Sequence, residues 1–213
     1  KVFQNASGAN LLNGIASSML LRSSILCKIK YDYAIFEVDE NTLPLILKEI
    51  IPDYVILLNL FRDQLDRYGE VNTIANKWGD AIRHLLPKTK LILNADDPQI
   101  TYLGVRSDPP GMWIRSYTSV FYFGLNNKKL AQTAHQHAVD STYCPNCNSK
   151  LHYNSIYYSH LGDWECKNCN LKRPNLDLSN IEYYPIHGTY NRYNTLAAVL
   201  LAKQIGIEQK NIN

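Results

Sequence analysis

The sequence predicts an α/β protein, with a doubly wound and mostly parallel sheet into which a four-cysteine zinc ribbon is inserted. Two observations carry this prediction. From residue 9 to residue 93, helical segments and short apolar runs alternate in the order α, β, α, β, α, β, which is typical of parallel sheets with helical crossovers. Farther along the chain, two CxxC pairs have the spacing of a metal-binding ribbon.

Four segments have helical character. The first repeats apolar residues at helical spacing, and the second and third each end beside a proline, which a helix seldom continues through. In order along the chain, the predicted helices cover Ala9 to Ser24, Leu43 to Ile50, Val71 to Leu86 and Asn191 to Ile205.

Short apolar runs bounded by Asp, Asn or Pro predict the strands. Three of them read as buried parallel strands: Tyr33 to Val38, Tyr54 to Leu60, and Leu91 to Leu93. Two more, Val120 to Phe123 and Ile181 to Ile186, are predicted at an edge of the sheet, on either side of the inserted ribbon.

The ribbon is predicted at about residues 142–174. Its two CxxC pairs place two thiolates each on one side of a tight turn, and together they complete a tetrahedral shell for Zn²⁺. Asn148 and Asn170 follow the pairs, where a chain reversal is favoured. A closed four-thiolate site leaves no open position for substrate, so the zinc is predicted to be structural. The predicted ligands are Cys144, Cys147, Cys166 and Cys169.

Other uses of these cysteines stay open. They could form two disulfides or remain four buried thiols, whereas a redox site would need only one pair. His152 and His160 are further candidate ligands, although four thiolates already fill the shell. The fifth cysteine, Cys27, has no predicted partner and is expected to be buried.

Composition limits the function classes. The 213 residues carry 22 basic and 19 acidic side chains, and a net charge of +3 is too small to argue for nucleic-acid binding. No apolar run approaches the roughly 18 residues of a membrane span, and the first residues lack the pattern of a signal peptide. We therefore expect a cytoplasmic protein of one ordinary core with a small appendage.

Polar residues follow three predicted strands at their carboxyl ends, where ligands bind in open α/β sheets. Glu37 ends the first strand, Asn59 lies at the end of the second, and Asn94, Asp96 and Asp97 follow the third. Their oxygens suit Mg²⁺ and the phosphates that it accompanies. Each cluster also has a purely structural interpretation. Two such alternatives are a turn capped by the aspartates before Pro98 and an ion-paired surface at Asp63, Asp66 and Arg67.

The last predicted helix opens with two amides three residues apart, Asn191 and Asn194, which would project from one face of its first turn. An amide offers both donor and acceptor, as the edge of a purine requires. The alternative is that Asn191 or Thr189 merely caps the helix.

Six motifs in this order resemble the central domain of the Mur ligase family. They are NASGANLLNGIA, EVDE, NLFRDQLDRYGE, NADDP, the two CxxC pairs followed by KRP, and GTYNRYNTLAA. The four-cysteine insertion is similar to that of the family's amidating branch. The resemblance implies an ATP-dependent amide ligase that converts the D-glutamate α-carboxylate of the lipid II stem peptide to D-isoglutamine at the cytoplasmic membrane face. A GatD-like glutamine amidotransferase subunit, paired with it as a heterodimer, would supply the ammonia.

The resemblance also implies residue roles. Glu37 corresponds to the family's catalytic, Mg²⁺-binding glutamate, and Asn191 and Asn194 correspond to asparagines beside the adenine of ATP. Asn94 and Asp96 match an acidic motif at the nucleotide edge. Gln64 stands where many relatives have a metal-binding histidine, and Lys77 lies close to, but out of register with, a carbamylated lysine, so it receives no role.

Two departures from the family pattern bear on activity. No GxxxxGK[ST] phosphate loop occurs, and nothing follows Asn213, where the family has a third domain. We therefore interpret residues 1–213 as a central domain incomplete at its N-terminus and inactive alone. The alternatives are a degenerate paralogue and a non-catalytic zinc-ribbon scaffold. The acidic edge favours the ligase, since a nucleic-acid binder gains nothing from clustered carboxylates.

Overall fold

The computed structural model describes residues 1–5, 8–26, 28, 30–61, 71–85, 88–105, 119–127, 129–132, 140–208 and 210. Its helices are α1 (Leu12–Arg22), α2 (Leu43–Glu49), α3 (Val71–Arg83), α4 (Pro98–Val105) and α5 (Thr189–Gln204). Its strands are β1 (Val2–Gln4), β2 (Tyr33–Ile35), β3 (Tyr54–Leu57), β4 (Lys90–Asn94), β5 (Val120–Phe123), β6 (His152–Tyr158) and β7 (Leu161–Glu165).

The strands form two parallel sheets and one antiparallel hairpin. β1 pairs with β2, and β4 lies between β3 and β5 with parallel partners on both sides. All helical crossovers therefore return the chain to the same end of a sheet, and the carboxyl ends of β3, β4 and β5 share one edge.

The central sheet is covered on both faces. Alternate residues of a strand point to opposite sides, and in β4 Leu91 and Leu93 join a core with α3 and α4, whereas Ile92 joins a core with α5. β3 divides in the same way, with Val55 and Leu57 on the first side and Ile56 on the second. This arrangement confirms the predicted layers of helix, parallel sheet and helix for β3, β4 and β5. The prediction of one sheet is wrong for β2, which among the described residues pairs with β1 in a separate sheet.

The hairpin of β6 and β7 is built into the domain, contrary to the predicted small appendage. Leu161 and Tyr157 belong to the core that lies under α5, and Trp164 is completely buried. The hairpin is therefore stabilised by the apolar surface of its host as well as by its own turns.

Several element predictions need correction. Residues 181–186 form no strand. The described segment after the second CxxC pair pairs with β5 only at the bridge between Phe123 and Leu178. Ile181 and Tyr184 are three residues apart and both pack against the core, whereas a strand would alternate. The first predicted strand shortens to β2, whose Tyr33 and Ile35 are 50% and 54% exposed, because only β1 pairs with it in the described structure.

Two elements escaped prediction, β1 and α4, both of which are short. The remaining predicted helices and strands are confirmed within a few residues at their ends. The predictions for Cys27, Asp63, Gln64, Asp66, Arg67 and Leu86 lie outside the described residues. Among the helices described above, none is both long and apolar enough to cross a membrane.

Candidate functional site

The turn that follows β4, residues 94–97, is fully buried. Asn94 ends the strand, and its side-chain oxygen accepts a hydrogen bond from the backbone N–H of Asp96 at 3.0 Å. This Asx-type bond closes the turn locally. Asn94 Nδ2 has no hydrogen-bond partner among the described residues, so the amide uses only half of its capacity.

Asp97 caps α4. Its Oδ1 accepts hydrogen bonds from the backbone N–H groups of Gln99 and Ile100 at 2.8 and 3.3 Å, and Pro98 occupies the first helical position, where no N–H is needed. Its Oδ2 accepts from Leu60 N at 2.9 Å and lies 3.4 Å from Nε2 of His160. The capping interpretation of this aspartate is therefore confirmed.

Asp96 joins four parts of the protein through one carboxylate. Its Oδ1 accepts Nε of Arg173 at 2.7 Å, and its Oδ2 accepts the hydroxyl of Tyr193 at 2.7 Å and the N–H of Leu125 at 2.9 Å. The Arg173 guanidinium also donates to the carbonyl of Leu125 at 2.6 Å. One buried ion pair thus connects the ends of β4 and β5, the segment after β7, and α5.

Burial dominates the electrostatics of Asp96. Removal from water raises its pKa to about 6, although the charge of Arg173 and the hydrogen bonds from Tyr193 and Leu125 act in the opposite direction. The carboxylate is therefore still ionised at neutral pH, paired with Arg173.

Gly124 makes room for this ion pair. A Cβ atom at this position would lie 2.2 Å from Oδ1 of Asp96 and 2.9 Å from Nη2 of Arg173. Glycine is needed here because the backbone after β5 passes directly against the charged pair.

Glu37 lies on the other parallel sheet, just after β2, and its side chain is exposed. The side chain of Asn5, which follows β1, makes two hydrogen bonds to the backbone of Glu37. Asn5 Oδ1 accepts from Glu37 N, and Asn5 Nδ2 donates to Glu37 O, both at 2.9 Å. The exposed carboxylate therefore stands on a rigidly held backbone, as a metal ligand requires.

Asn191 and Asn194 lie together at the start of α5. Asn194 Nδ2 is 3.5 Å from Asn191 Oδ1, and Asn191 Nδ2 donates to the carbonyl of His187 at 2.7 Å. Gly188, with φ of 104°, precedes the helix, and no side chain caps it. The alternative in which Asn191 or Thr189 serves as the N-cap is therefore wrong.

The four cysteines come together at the open end of the hairpin. Their sulfur atoms all lie within 4.8 Å of one another, with Cys144 and Cys169 at 3.5 Å and Cys147 and Cys166 at 3.4 Å. A disulfide needs about 2.05 Å, so these are free thiols. Among the described residues, no histidine joins this group, and His160 lies at the hairpin tip beside Asp97.

Each CxxC pair and the asparagine after it form a tight turn, here called a knuckle: residues 144–148 are the first and residues 166–170 the second. Both knuckles have the same backbone geometry. Asn148 and Asn170 adopt left-handed φ values of 57° and 61°, and each donates its N–H to the carbonyl of the first cysteine of its pair at 2.9 Å. The predicted chain reversals are thereby confirmed at both asparagines.

The environment of the thiols is already suited to thiolates at two positions. Hydrogen bonds, first from the side chain of Asn168, lower the pKa of Cys147 to about 5, and the side chain of Asn146 lowers that of Cys169. Burial raises the pKa of Cys144 to about 12 when no cation is near.

A polar cavity of about 550 Å³ lies between α3, α4 and the first knuckle. Side-chain amides form much of its wall, including Asn72, Asn76 and Gln99. None of the predicted nucleotide or magnesium residues lines it, so it does not mark that site.

The structure thus divides the predicted site residues among three places. Asn94 and Asp96 belong to the buried turn, Glu37 to the edge of the first sheet, and the paired asparagines to α5. Sequence reasoning assigned no role to Arg173, Tyr193 or Asn5. The KRP that follows the second knuckle was the available signal for Arg173.

Comparison with known proteins identifies the family. Residues 9–202 match the Mur ligase middle domain. The chain belongs to the Mur ligase family. Over its whole length it is 32% identical to the lipid II isoglutaminyl synthase (glutamine-hydrolyzing) subunit MurT of Staphylococcus aureus strain COL, and 35% identical to that of Streptococcus pneumoniae strain R6. In both cases the match covers 48% of the relative, so the chain spans about half the length of these relatives.

Solved structures of other Mur ligases share the fold. A pseudomurein peptide ligase type C from Methanothermus fervidus superposes with a TM-score of 0.69 at 21% identity, over 98% of this chain and 42% of that one. MurF from Acinetobacter baumannii superposes with a TM-score of 0.57 at 14% identity, over 99% and 38%. The described architecture is that of the Mur ligase central domain.

Proposed function

We propose that this chain is the central domain of an ATP-dependent amide ligase that converts the D-glutamate α-carboxylate of the lipid II stem peptide to D-isoglutamine. Ammonia comes from a GatD-like glutamine amidotransferase subunit, and the reaction takes place at the cytoplasmic face of the membrane. The observation that carries the proposal is the 32–35% identity to MurT subunits along the entire chain.

The proposed nucleotide edge combines two exposed side chains, Glu37 and Asn194, with the buried Asn191. Glu37 binds Mg²⁺, since its carboxylate is exposed on a backbone held by Asn5. Asn191 and Asn194 take the adenine edge. The exposed amide of Asn194 offers both donor and acceptor, and the buried Asn191 holds it through a contact of 3.5 Å. That Asn94 and Asp96 touch the nucleotide stays a prediction. Their complete burial supports an indirect role in shaping the edge.

The cysteine cluster is proposed to hold one structural Zn²⁺. Zinc–sulfur bonds of about 2.3 Å in a tetrahedron place the sulfurs about 3.8 Å apart, and the four sulfurs, all within 4.8 Å, fit that size. The two thiols whose pKa is lowered favour the thiolate form that zinc requires. When bound, the ion adds folding free energy to the hairpin, and we assign it no part in the reaction.

Amidation by the full-length protein tests the proposed function. The full-length protein, its glutaminase partner, lipid II, glutamine and Mg-ATP should yield amidated lipid II, detected by mass spectrometry. Ammonium chloride should replace both glutamine and the partner if ammonia is the true nucleophile. Absence of amidation under both conditions would overturn the proposal and favour a non-catalytic scaffold.

Glu37→Gln tests the magnesium assignment. A metal ligand in phosphoryl transfer supplies several kcal/mol of transition-state stabilisation, so we expect amidation to fall by about 100-fold or more. The fold should be unchanged, because Asn5 holds only backbone atoms of Glu37. Glu49→Gln at the end of α2 removes an equal charge away from the edge and should keep full activity. Near-normal turnover of Glu37→Gln at saturating Mg²⁺ would show that the assignment is wrong.

A further inference from the structure

The start of α5 is tied to the four-cysteine hairpin through the buried carboxylate of Asp96. Tyr193 contacts this carboxylate from the helix, and Arg173 contacts it from the segment that follows the second knuckle. We propose that Arg173 and Tyr193 are positioning residues for the nucleotide edge, which orient Asn191 and Asn194 through Asp96. This inference rests on the proposed function, since it assigns positioning residues to the same nucleotide site.

Tyr193 sets the rotation of the first turn of α5. It is completely buried and lies in sequence between the two asparagines. At about 100° per residue, Asn194 is turned about 100° from Tyr193 and Asn191 about 160° in the same sense, so both amides lie away from the tyrosine. Anchoring the tyrosine hydroxyl at 2.7 Å therefore fixes the rotation at which the exposed Asn194 and the buried Asn191 stand on the helix.

Arg173 is held in turn by the second knuckle. Its backbone N–H donates to the carbonyl of Trp164 at 3.0 Å, and Glu165 and Lys172 form a bridge beside it. Cys166 N donates to Leu171 O at 2.7 Å, which closes the loop between these two segments. The knuckle thus fixes the distance between Trp164 and Arg173 along the hairpin.

The same hairpin meets the turn after β4 at three further points, one of which is His160 Nε2 at 3.4 Å from Asp97 Oδ2. Trp164 Nε1 donates to the carbonyl of Ala95 at 3.0 Å, and Gly162 N donates to the carbonyl of Asp96, also at 3.0 Å. With the ion pair of Arg173, which follows the hairpin in the chain, four contacts hold a four-residue turn. A turn held in this way transmits the position of the hairpin to α5 through Asp96, beside the direct packing of Tyr158 against Tyr190.

Matched pairs of variants in the full-length protein separate positioning from general stability. Tyr193→Phe removes only the hydroxyl that Asp96 accepts, whereas Tyr54→Phe removes a hydroxyl that donates to Gln204 O at the other end of the same helix. Arg173→Met removes the charge that pairs with Asp96, and Lys172→Met removes the exposed neighbouring charge. Arg173→Lys restores the charge without the forked contacts.

We expect Tyr193→Phe to raise the KM for Mg-ATP about fivefold or more, the effect of losing a hydrogen bond to a charged group, with kcat within about twofold. Hydrogen exchange should accelerate in residues 94–100 and 189–195 and stay unchanged in β6 and β7. Arg173→Met should show the same pattern more strongly, with partial recovery in Arg173→Lys. Tyr54→Phe and Lys172→Met should match the wild type in KM and in exchange at these segments.

Two results would overturn the inference. One is a KM for Tyr193→Phe equal to that of Tyr54→Phe, and the other is accelerated exchange in Tyr193→Phe that spreads evenly over the domain. If the wild type amidates nothing but binds Mg-ATP by calorimetry, the proposed function fails, and a weaker Kd in Tyr193→Phe still supports positioning. A wild-type protein that binds no Mg-ATP overturns both.

Discussion

At the scale of single residues, the buried Asp96 decides how the domain responds to pH. Its pKa is raised to about 6 by burial, above the ordinary 3.8 of an unfolded aspartate. The folded protein therefore binds a proton more readily than the unfolded chain. The stability that this proton contributes is fully present below pH 3.8 and is lost as the pH rises through about 6. Above that range, Arg173 must compensate the buried charge.

Arg173→Met should therefore destabilise the domain more at pH 8 than at pH 5. At pH 8 the variant buries an unpaired carboxylate, which costs about 3–5 kcal/mol, whereas at pH 5 Asp96 is protonated and the arginine is less needed. Urea unfolding at both pH values measures the difference. Lys172→Met serves as the control and should show the same small change at each pH. An equal loss of stability at both pH values for Arg173→Met would contradict the assigned role of Asp96.

Gly124→Ala should also destabilise the domain. The added Cβ would lie 2.2 Å from Oδ1 of Asp96, and because Leu125 and Tyr193 hold that carboxylate, overpacking should cost about 1–3 kcal/mol. Thermal unfolding gives the value, with Asn126→Ala on the exposed surface of the same loop as the control. An unchanged Tm in Gly124→Ala would contradict this prediction, because it would mean that Asp96 and Arg173 shift away from the added methyl group at no cost in stability.

At the scale of elements, the four-cysteine hairpin is the feature whose role changes most between sequence and structure. Its spacing predicts a self-contained ribbon, yet its second strand lies against the turn after β4. Trp164 belongs to the ribbon and to the central domain at once. It packs with Cys144 and Cys166, and its Nε1 donates to the carbonyl of Ala95. Loss of the metal site should therefore disturb the central sheet and not only the ribbon.

Cys169→Ser tests the metal site and this coupling together. Zinc content measured by atomic absorption should approach one ion per chain in the wild type and fall in the variant. Loosening of the knuckle should shift the tryptophan fluorescence to longer wavelength, because the buried Trp164 gains contact with water. Cys27→Ser removes the fifth cysteine and should leave the zinc content unchanged. Freshly purified wild-type protein with two intact disulfides and no metal would rule the zinc site out.

At the scale of the whole molecule, we propose that the amidating activity depends on more than these 213 residues. The 213 residues contain no GxxxxGK[ST] sequence, whose backbone N–H groups and lysine bind the β and γ phosphates in P-loop proteins. The relatives are about twice as long, since the match covers 48% of each. We propose that residues 1–213 by themselves lack ligase activity.

Calorimetry with Mg-ATP tests this proposal. Residues 1–213 should bind with a Kd at least about 100-fold weaker than that of the full-length protein, because several charge-assisted hydrogen bonds to phosphate are lost together. Circular dichroism of residues 1–213 serves as the control for folding. Equal and tight binding by both proteins would show that the nucleotide site is built from these 213 residues alone.

The sequence by itself determined the local features of this protein. The longer helices, the strands β3 to β5, the CxxC pairs and the reversals at Asn148 and Asn170 follow from residue spacing and turn chemistry, which act over a few neighbours. Asp97 before Pro98 is likewise a local cap. The sequence Asp96-Asp97-Pro98 was enough to offer capping as the structural alternative to a ligand-binding role.

Only the tertiary structure decided which polar groups face inward. Asp96 and Arg173 are 77 residues apart, and their pairing depends on the hairpin lying across the turn after β4. The residue pattern of neither segment indicates this contact. A buried ion pair forms only when the fold brings both partners together and removes both from solvent, which depends on the tertiary structure. For the same reason the sequence gives Arg173 no visible partner, while in the folded protein it pairs with the buried carboxylate of Asp96.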